Sequence, residues 1–238
     1  MDPRYYQQEG VAACYEYLSA TQDNPCLVFP TGTGKSVIIA MLVADTVQRW
    51  GGRVCVLAHV KELLEQNAAE IRDLCPALDI GIYSAGLRRR DTGHNVIVAG
   101  IQSVYRKADH LGSFDLIIVD EAHLIPPDGD GMYQSFLRDA KTINPRARLV
   151  GLTATPYRLQ GGLICGPTKL LQKIAYEYSI KQAIMDGYLC PLRSRGGRAK
   201  ADMSAVAIRG GEFVEAQMQA AFDQIELVRD ACREIVEL

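Results

Sequence analysis

Five short apolar runs limit the possible folds more than any other feature of this chain. Residues 26–29 (CLVF), 54–58 (VCVLA), 96–99 (VIVA), 116–119 (LIIV) and 149–152 (LVGL) have no polar alternation. A strand with one wet face alternates, so runs of this kind predict strands buried on both faces, as in a parallel sheet. Helical patterns separate them: 36–49, then 61–75 with Leu64, Ala68, Ile71 and Cys75 at three- and four-residue steps, then 134–141. Strand and helix alternate, which predicts an α/β fold with a mainly parallel central sheet and helices on both faces.

Composition removes the other classes. The 238 residues are 48% hydrophobic and 23% charged, which excludes a disordered, collagen-like or coiled-coil chain. The net charge is −2, so a polyanion must be met by a local basic patch. No apolar run approaches the roughly 18 residues of a membrane span. The start, MDPRYYQQEG, has neither a basic nor an apolar leader segment, so a cytoplasmic protein is expected. The seven cysteines form no CxxC pair, and reduced thiols are expected rather than a disulfide framework or a zinc site.

The chemistry begins after the first run. Pro30-Thr31-Gly32-Thr33-Gly34-Lys35-Ser36 follows a buried strand and opens a helix, the setting of a phosphate-binding loop. Glycines let backbone N–H groups face phosphate oxygens, the helix N-terminus adds its positive dipole end, Lys35 reaches the outer phosphates and Ser36 binds Mg²⁺. Phe29 occupies the position where the general pattern has its first glycine. A glycine-rich turn that binds nothing is the alternative.

The fourth run ends in Asp120-Glu121-Ala122-His123. Carboxylates at the C-terminal end of a parallel strand stand where such sheets hold ligands. Asp120 is placed to hold Mg²⁺ and Glu121 to orient and deprotonate a water; a helix N-cap is the other use of such a pair. The fifth run leads into Thr153-Ala154-Thr155, whose hydroxyls reach the same edge and can bond His123 or Glu121.

Beyond Thr155 the rhythm breaks. A loop is expected over 159–167, a helix over 179–186, a short strand over 188–192 entered through Gly187, then turns through RSRGGRAK (193–200) and RGGEF (209–213). Residues 214–238 are helical in pattern, with Ile225, Val228 and Cys232 on one face. Arg88-Arg89-Arg90 is a candidate basic patch, and so are Arg193, Arg195, Arg198 and Lys200.

These blocks in this order resemble the first RecA-like lobe of superfamily 2 DEAD/DEAH-box helicases. LAHVKELLEQN, AGIQSV and GLTATPYRL are most similar to the RadD-type repair helicases and related bacterial and phage proteins. The resemblance implies ATP and Mg²⁺ as cofactors, with Lys35, Asp120, Glu121 and His123 catalytic and Ser36 and Asp120 on the metal. It implies that Gln7 and Arg4 recognise adenine, and that Pro30 to Ser36 cradle the phosphates. It places His59, Lys61, Gly100, Gln102 and Ser103 along a nucleic acid, single-stranded or junction DNA, with Thr153 and Thr155 coupling the two sites. The function implied is ATP-driven movement on DNA. The motor portion of a restriction endonuclease subunit or an RNA helicase would share the motifs. Helicases of this kind close ATP between two lobes, so residues 1–205 are expected to be lobe one and 206–238 a connector and lead-in helix to a second lobe, in an N-terminal piece of a longer motor that is nearly inactive alone.

Overall fold

The computed structural model describes residues 2–126, 131–158, 162–191, 201–209 and 212–236. Strand and helix alternate through β1 (Pro25–Val28), α2 (Lys35–Ala44), β2 (Val54–Ala58), α3 (Lys61–Leu74), β3 (Ile80–Ser84), β4 (Arg89–Arg90), β5 (Val96–Gly100), β6 (Leu116–Val119), α6 (Met132–Ile143), β7 (Arg148–Thr153) and β10 (Lys173–Glu177), with α1 (Tyr5–Ala20) ahead of them. The short helices α4 (Ile101–Val104) and α5 (Ala108–Leu111) follow β5, and α7 (Ile180–Met185) follows β10. The two-residue strands β8 (Tyr157–Arg158) and β9 (Gly162–Leu163) pair apart from the main sheet.

The main sheet has eight strands in the order β10-β1-β7-β6-β2-β5-β3-β4, and every pairing is parallel except β3 with β4. All five apolar runs lie in it, buried on both faces as the missing alternation requires. Successive side chains of a strand point to opposite faces. Leu27, Val54, Val56, Ile118 and Leu152 thus pack with Ile38, Ile39, Leu64 and Ile71 of α2 and α3, while Cys26, Cys55, Leu57, Ile117 and Leu149 pack with Val104, Leu111 and Phe136 of α4 to α6. Helices cover both faces. Phe136 is fully buried, and truncating a buried Phe to Ala costs about 3–5 kcal/mol.

The longer elements that escaped the pattern reading are α1, β3 and β10, and the short α4, α5, β4, β8 and β9 escaped it too. The strand expected over 188–192 is absent among its described residues, 188–191. Gly187 has φ 75°, and the N–H groups of Tyr188 and Leu189 both donate to the Ala183 carbonyl, at 2.9 and 3.0 Å. Those donors close the end of α7 and Pro191 has none to give, so of residues 188–191 only Cys190 keeps an N–H for a ladder.

The chain forms two compact units, Met1–Tyr157 with Leu163–Leu189, and Arg158–Gly162 with Cys190–Leu238. Leu189 is the last described residue packed on the sheet's core. The second unit carries an antiparallel pair, β11 (Ile208–Arg209) with β12 (Glu212–Phe213), where turns were expected, then α8 (Glu215–Phe222) and α9 (Ile225–Val236). The helical pattern of 214–238 is thus split at Asp223 and Gln224, and Val228 and Cys232 are exposed on α9. The basic run Arg193, Arg195, Arg198 and Lys200 lies outside the described residues.

Candidate functional site

The loop after β1 is held from both sides. Phe29 N–H donates to the Thr153 carbonyl at 2.9 Å, and Tyr178 N–H to the Val28 carbonyl at 2.9 Å. Thr33 is fully buried and turns back, its hydroxyl donating to the Pro30 carbonyl at 2.6 Å. Gly32 and Gly34 have φ 83° and 80°. At Gly34 a side chain is excluded twice over, since a Cβ would also stand 2.6 Å from Gln7 Nε2. Gly34 caps α2, whose first residues are Lys35 and Ser36. In that first turn Val37 N–H donates to the Gly34 carbonyl at 3.1 Å, while the N–H groups of Lys35 and Ser36 are left with the positive end of the helix, which suits an anion.

Asp120 and Glu121 stand at the end of β6, two strands from β1 with β7 between. Asp120 is 3% exposed, and burial pushes its carboxyl above the usual range, opposed by a hydrogen bond from Asn67. Asn67 Nδ2 donates to Oδ2 at 2.9 Å, and Glu121 N–H donates to Oδ1 at 3.0 Å. Glu121 has φ 50°, a left-handed backbone rare for a residue with a side chain. That turn brings its carboxylate within 3.6 Å of Lys35 Nζ and 3.3 Å of His123 Nδ1. The hydrogen bond with His123, and then the Lys35 charge, hold Glu121 below its ordinary pKa, so it is ionised. His123 Nδ1 is also 2.9 Å from Thr153 Oγ1, which in turn accepts from Thr155 N–H at 3.0 Å. A line of polar contacts therefore runs from Lys35 to Thr155.

Mg²⁺ fits the donors present. The Ser36 hydroxyl has no hydrogen-bond partner among the described residues, and Asp120 is a desolvated carboxylate with lone pairs to spare, both hard oxygen donors. No group of three or more His, Cys, Asp or Glu converges among the described residues. The protein thus supplies few ligands, as Mg²⁺ allows when phosphates and water complete its shell.

Gln7 is built into the loop's support. It is 3% exposed, its Oε1 accepts from Arg4 N–H at 2.8 Å, and its Nε2 donates to the Thr33 carbonyl at 3.0 Å. The amide braces the loop from α1, with one lone pair of Oε1 left over. Arg4 is exposed, its guanidinium 4.2 Å from the centre of the Tyr188 ring and 3.0 Å from Tyr6 Oη.

The remaining site residues lie at the ends of β2 and β5, which pair directly, Ala58 opposite Gly100. Gln102 Nε2 donates to the His59 carbonyl at 2.8 Å, and Ser103 Oγ accepts from Ala85 N–H at 2.9 Å. Lys61 is exposed at the first turn of α3, 3.7 Å from Glu62. His59, Lys61, Gly100, Gln102 and Ser103 thus form one edge. Arg88 to Arg90 lie at and near the far strand β4, and Arg90 covers the Tyr83 ring at 5.2 Å, an aromatic partner the linear run did not show.

Asn67 is the site residue that sequence reasoning missed. Its signal is its place on the apolar stripe, three residues after Leu64 and four before Ile71, where a polar side chain must have a buried partner.

The family model described as type III restriction enzyme, res subunit, matches residues 1–158. Saccharomyces cerevisiae IRC3, assigned as an ATP-dependent helicase, is 26% identical over 238 residues, which cover 94% of this chain and 33% of that protein. The Escherichia coli type I restriction enzyme EcoAI endonuclease subunit is 27% identical over 203 residues, 80% of this chain and 24% of that protein. Among solved structures, a nuclease-deletion mutant of the type ISP restriction-modification enzyme LlaGI, in complex with a DNA substrate mimic, superposes with TM-score 0.60 at 17% identity, covering 79% of this chain and 21% of that one. The chain spans about a quarter to a third of the length of these two curated relatives. With residues 1–158 of its 238 inside the family model and a RecA-like sheet around the phosphate-binding loop, this chain belongs to the family of the type III restriction enzyme res subunit, a superfamily 2 helicase-type N-terminal lobe.

Proposed function

We propose that this chain is the ATP-binding lobe of a motor that couples ATP hydrolysis to movement on DNA. The observation that carries the reading is the contact line from Lys35 through Glu121 and His123 to Thr153. The loop N–H groups and Lys35 bind the phosphates. Glu121, held ionised, orients a water and takes its proton as the water oxygen bonds the γ-phosphorus and the bond to the bridging oxygen breaks. Bound at Ser36 and Asp120, Mg²⁺ would neutralise charge on the phosphate oxygens. His123 passes the state of Glu121 to Thr153 and Thr155.

DNA is favoured over RNA as the track by the DNA-bound LlaGI structure and by the restriction-enzyme relatives. The track is single-stranded or junction DNA, held along the edge from His59 to Ser103, and a second RecA-like lobe of the same protein closes the ATP site. The matched family and the EcoAI subunit favour a second reading within the same chemistry, the motor of a restriction endonuclease; the resemblance to RadD-type proteins favours a repair helicase in the cytoplasm.

The test is ATP turnover by the full-length protein with and without single-stranded DNA, across a salt series. Stimulation by DNA that fades as salt rises supports the reading, because phosphate contacts release counterions. Turnover indifferent to DNA at every salt concentration would refute the motor.

A further inference from the structure

Helix α3 touches both proposed sites. It runs unbroken from Lys61 to Leu74 with neither glycine nor proline inside, so it moves as a unit. Lys61 stands at its first turn on the exposed side, beside the edge assigned to the track. Asn67, six residues on, is 2% exposed and donates to Asp120 Oδ2 at 2.9 Å. Six residues of α-helix span about 9 Å along the axis and turn about 240°, which places Lys61 outward when Asn67 points into the core. Gly100 of the same edge backs onto this helix, a Cβ there lying 3.3 Å from Leu64 Cδ1. On its other side α3 packs along α2, the helix that begins at Lys35.

We propose that α3 is a lever and Asn67 a positioning residue, through which contact between Lys61 and the polynucleotide sets the orientation of the Asp120 carboxylate. The bond is buried and is the one from α3 to Asp120 among the described residues, so a shift of the helix by a fraction of an ångström changes the direction from which Asp120 faces the metal position. By linkage, the nucleotide state must change polynucleotide affinity through the same bond. The inference rests on the reading of the His59 to Ser103 edge as the track.

The experiment measures the affinity of the full-length protein for single-stranded DNA with and without MgADP, in wild type, Asn67→Ala and Lys61→Ala. Wild type should show a ratio between the two states of about fivefold or more, the lower range of allosteric coupling. Asn67→Ala should bring that ratio close to one. Lys61→Ala should weaken both affinities and also bring the ratio towards one, because it removes the contact that moves the helix. An Asn67→Ala protein that melts cooperatively and keeps the wild-type ratio overturns the lever, as does a wild-type ratio of one. Should the alanine variant lose its cooperative melt, Asn67→Ser, which keeps a donor on a shorter arm, is measured instead against the same two outcomes. If Lys61→Ala leaves both affinities and their salt dependence unaltered, the track assignment fails, a result distinct from an unchanged ratio in the Asn67 variants.

Discussion

Lys35 Nζ and the Glu121 carboxylate stand 3.6 Å apart, joining the phosphate-binding loop to the end of β6. The two residues are proposed to have opposite tasks, one to bind phosphate and one to activate water, so their removal should separate binding from turnover. Lys35→Ala should weaken ATP binding by about 10-fold or more, since a hydrogen bond to a charged group contributes about 1.5–3 kcal/mol. Glu121→Gln should leave ATP affinity equal or tighter, because Lys35 loses a competing partner, while turnover falls by about 10²–10⁴ as general-base removal does. Equilibrium binding and single-turnover hydrolysis separate the two; equal loss of affinity in both variants would contradict the assignment.

Gln7 is expected to act through the loop it braces. With Oε1 and Nε2 committed to Arg4 and Thr33, Gln7→Ala should lower affinity for ATP and GTP by similar factors and destabilise the fold by about 1–3 kcal/mol, since the truncation leaves buried groups unpaired. Competition binding with both nucleotides and a thermal melt measure this. A loss confined to ATP would return Gln7 to base reading.

Residues 1–238 alone should bind ATP and turn it over very slowly, even with DNA at saturation. The described site holds Lys35 and Glu121, but an arginine brought to the transferred phosphate contributes about 10³–10⁵ in rate, and the second lobe is proposed to bring it. Steady-state hydrolysis by this chain and by the full-length protein, compared at saturating single-stranded DNA, decides the point. Similar turnover numbers would show that the catalytic set is complete within these residues.

The thiols should divide by burial. Cys190 and Cys232 are exposed, whereas Cys14, Cys26 and Cys55 are buried, and burial pushes the Cys14 thiol up to about 12. The exposed pair should be alkylated first, and Cys14, Cys26 and Cys55 only after unfolding. Peptide mapping after brief labelling reads the sites; modification of Cys14, Cys26 or Cys55 at the rate of Cys190 would contradict the packing of α1 and of the sheet.

What the sequence made legible follows from how each element is buried. The five doubly covered strands announce themselves because both faces must be apolar, and the loop and acidic pair because their chemistry needs those residue types in that order. Strand β3 was hidden by Gly81 and by its polar end at Ser84, and β10, Lys173–Glu177, by its place at the sheet's edge, where both ends are exposed. Helix α1 buries Tyr6, Gln7, Gly10, Val11 and Cys14, a stripe at helical spacing built partly of residues that do not read as core. Gln7 and Asn67 show why side-chain roles are less legible than folds: the acceptor of each amide N–H lies far away in sequence, on the loop or at the end of β6, and only the folded chain brings it near.

The left-handed backbone of Glu121 sets evolution of this chain at odds with its durability. A residue bearing a side chain pays roughly 1–2 kcal/mol in that conformation, and glycine nearly nothing. Selection for heat resistance alone would therefore drift towards glycine at 121, yielding a hardier protein with an inert centre. Under the role proposed for Glu121, a design effort that ranks substitutions by stability must exempt this position from its search.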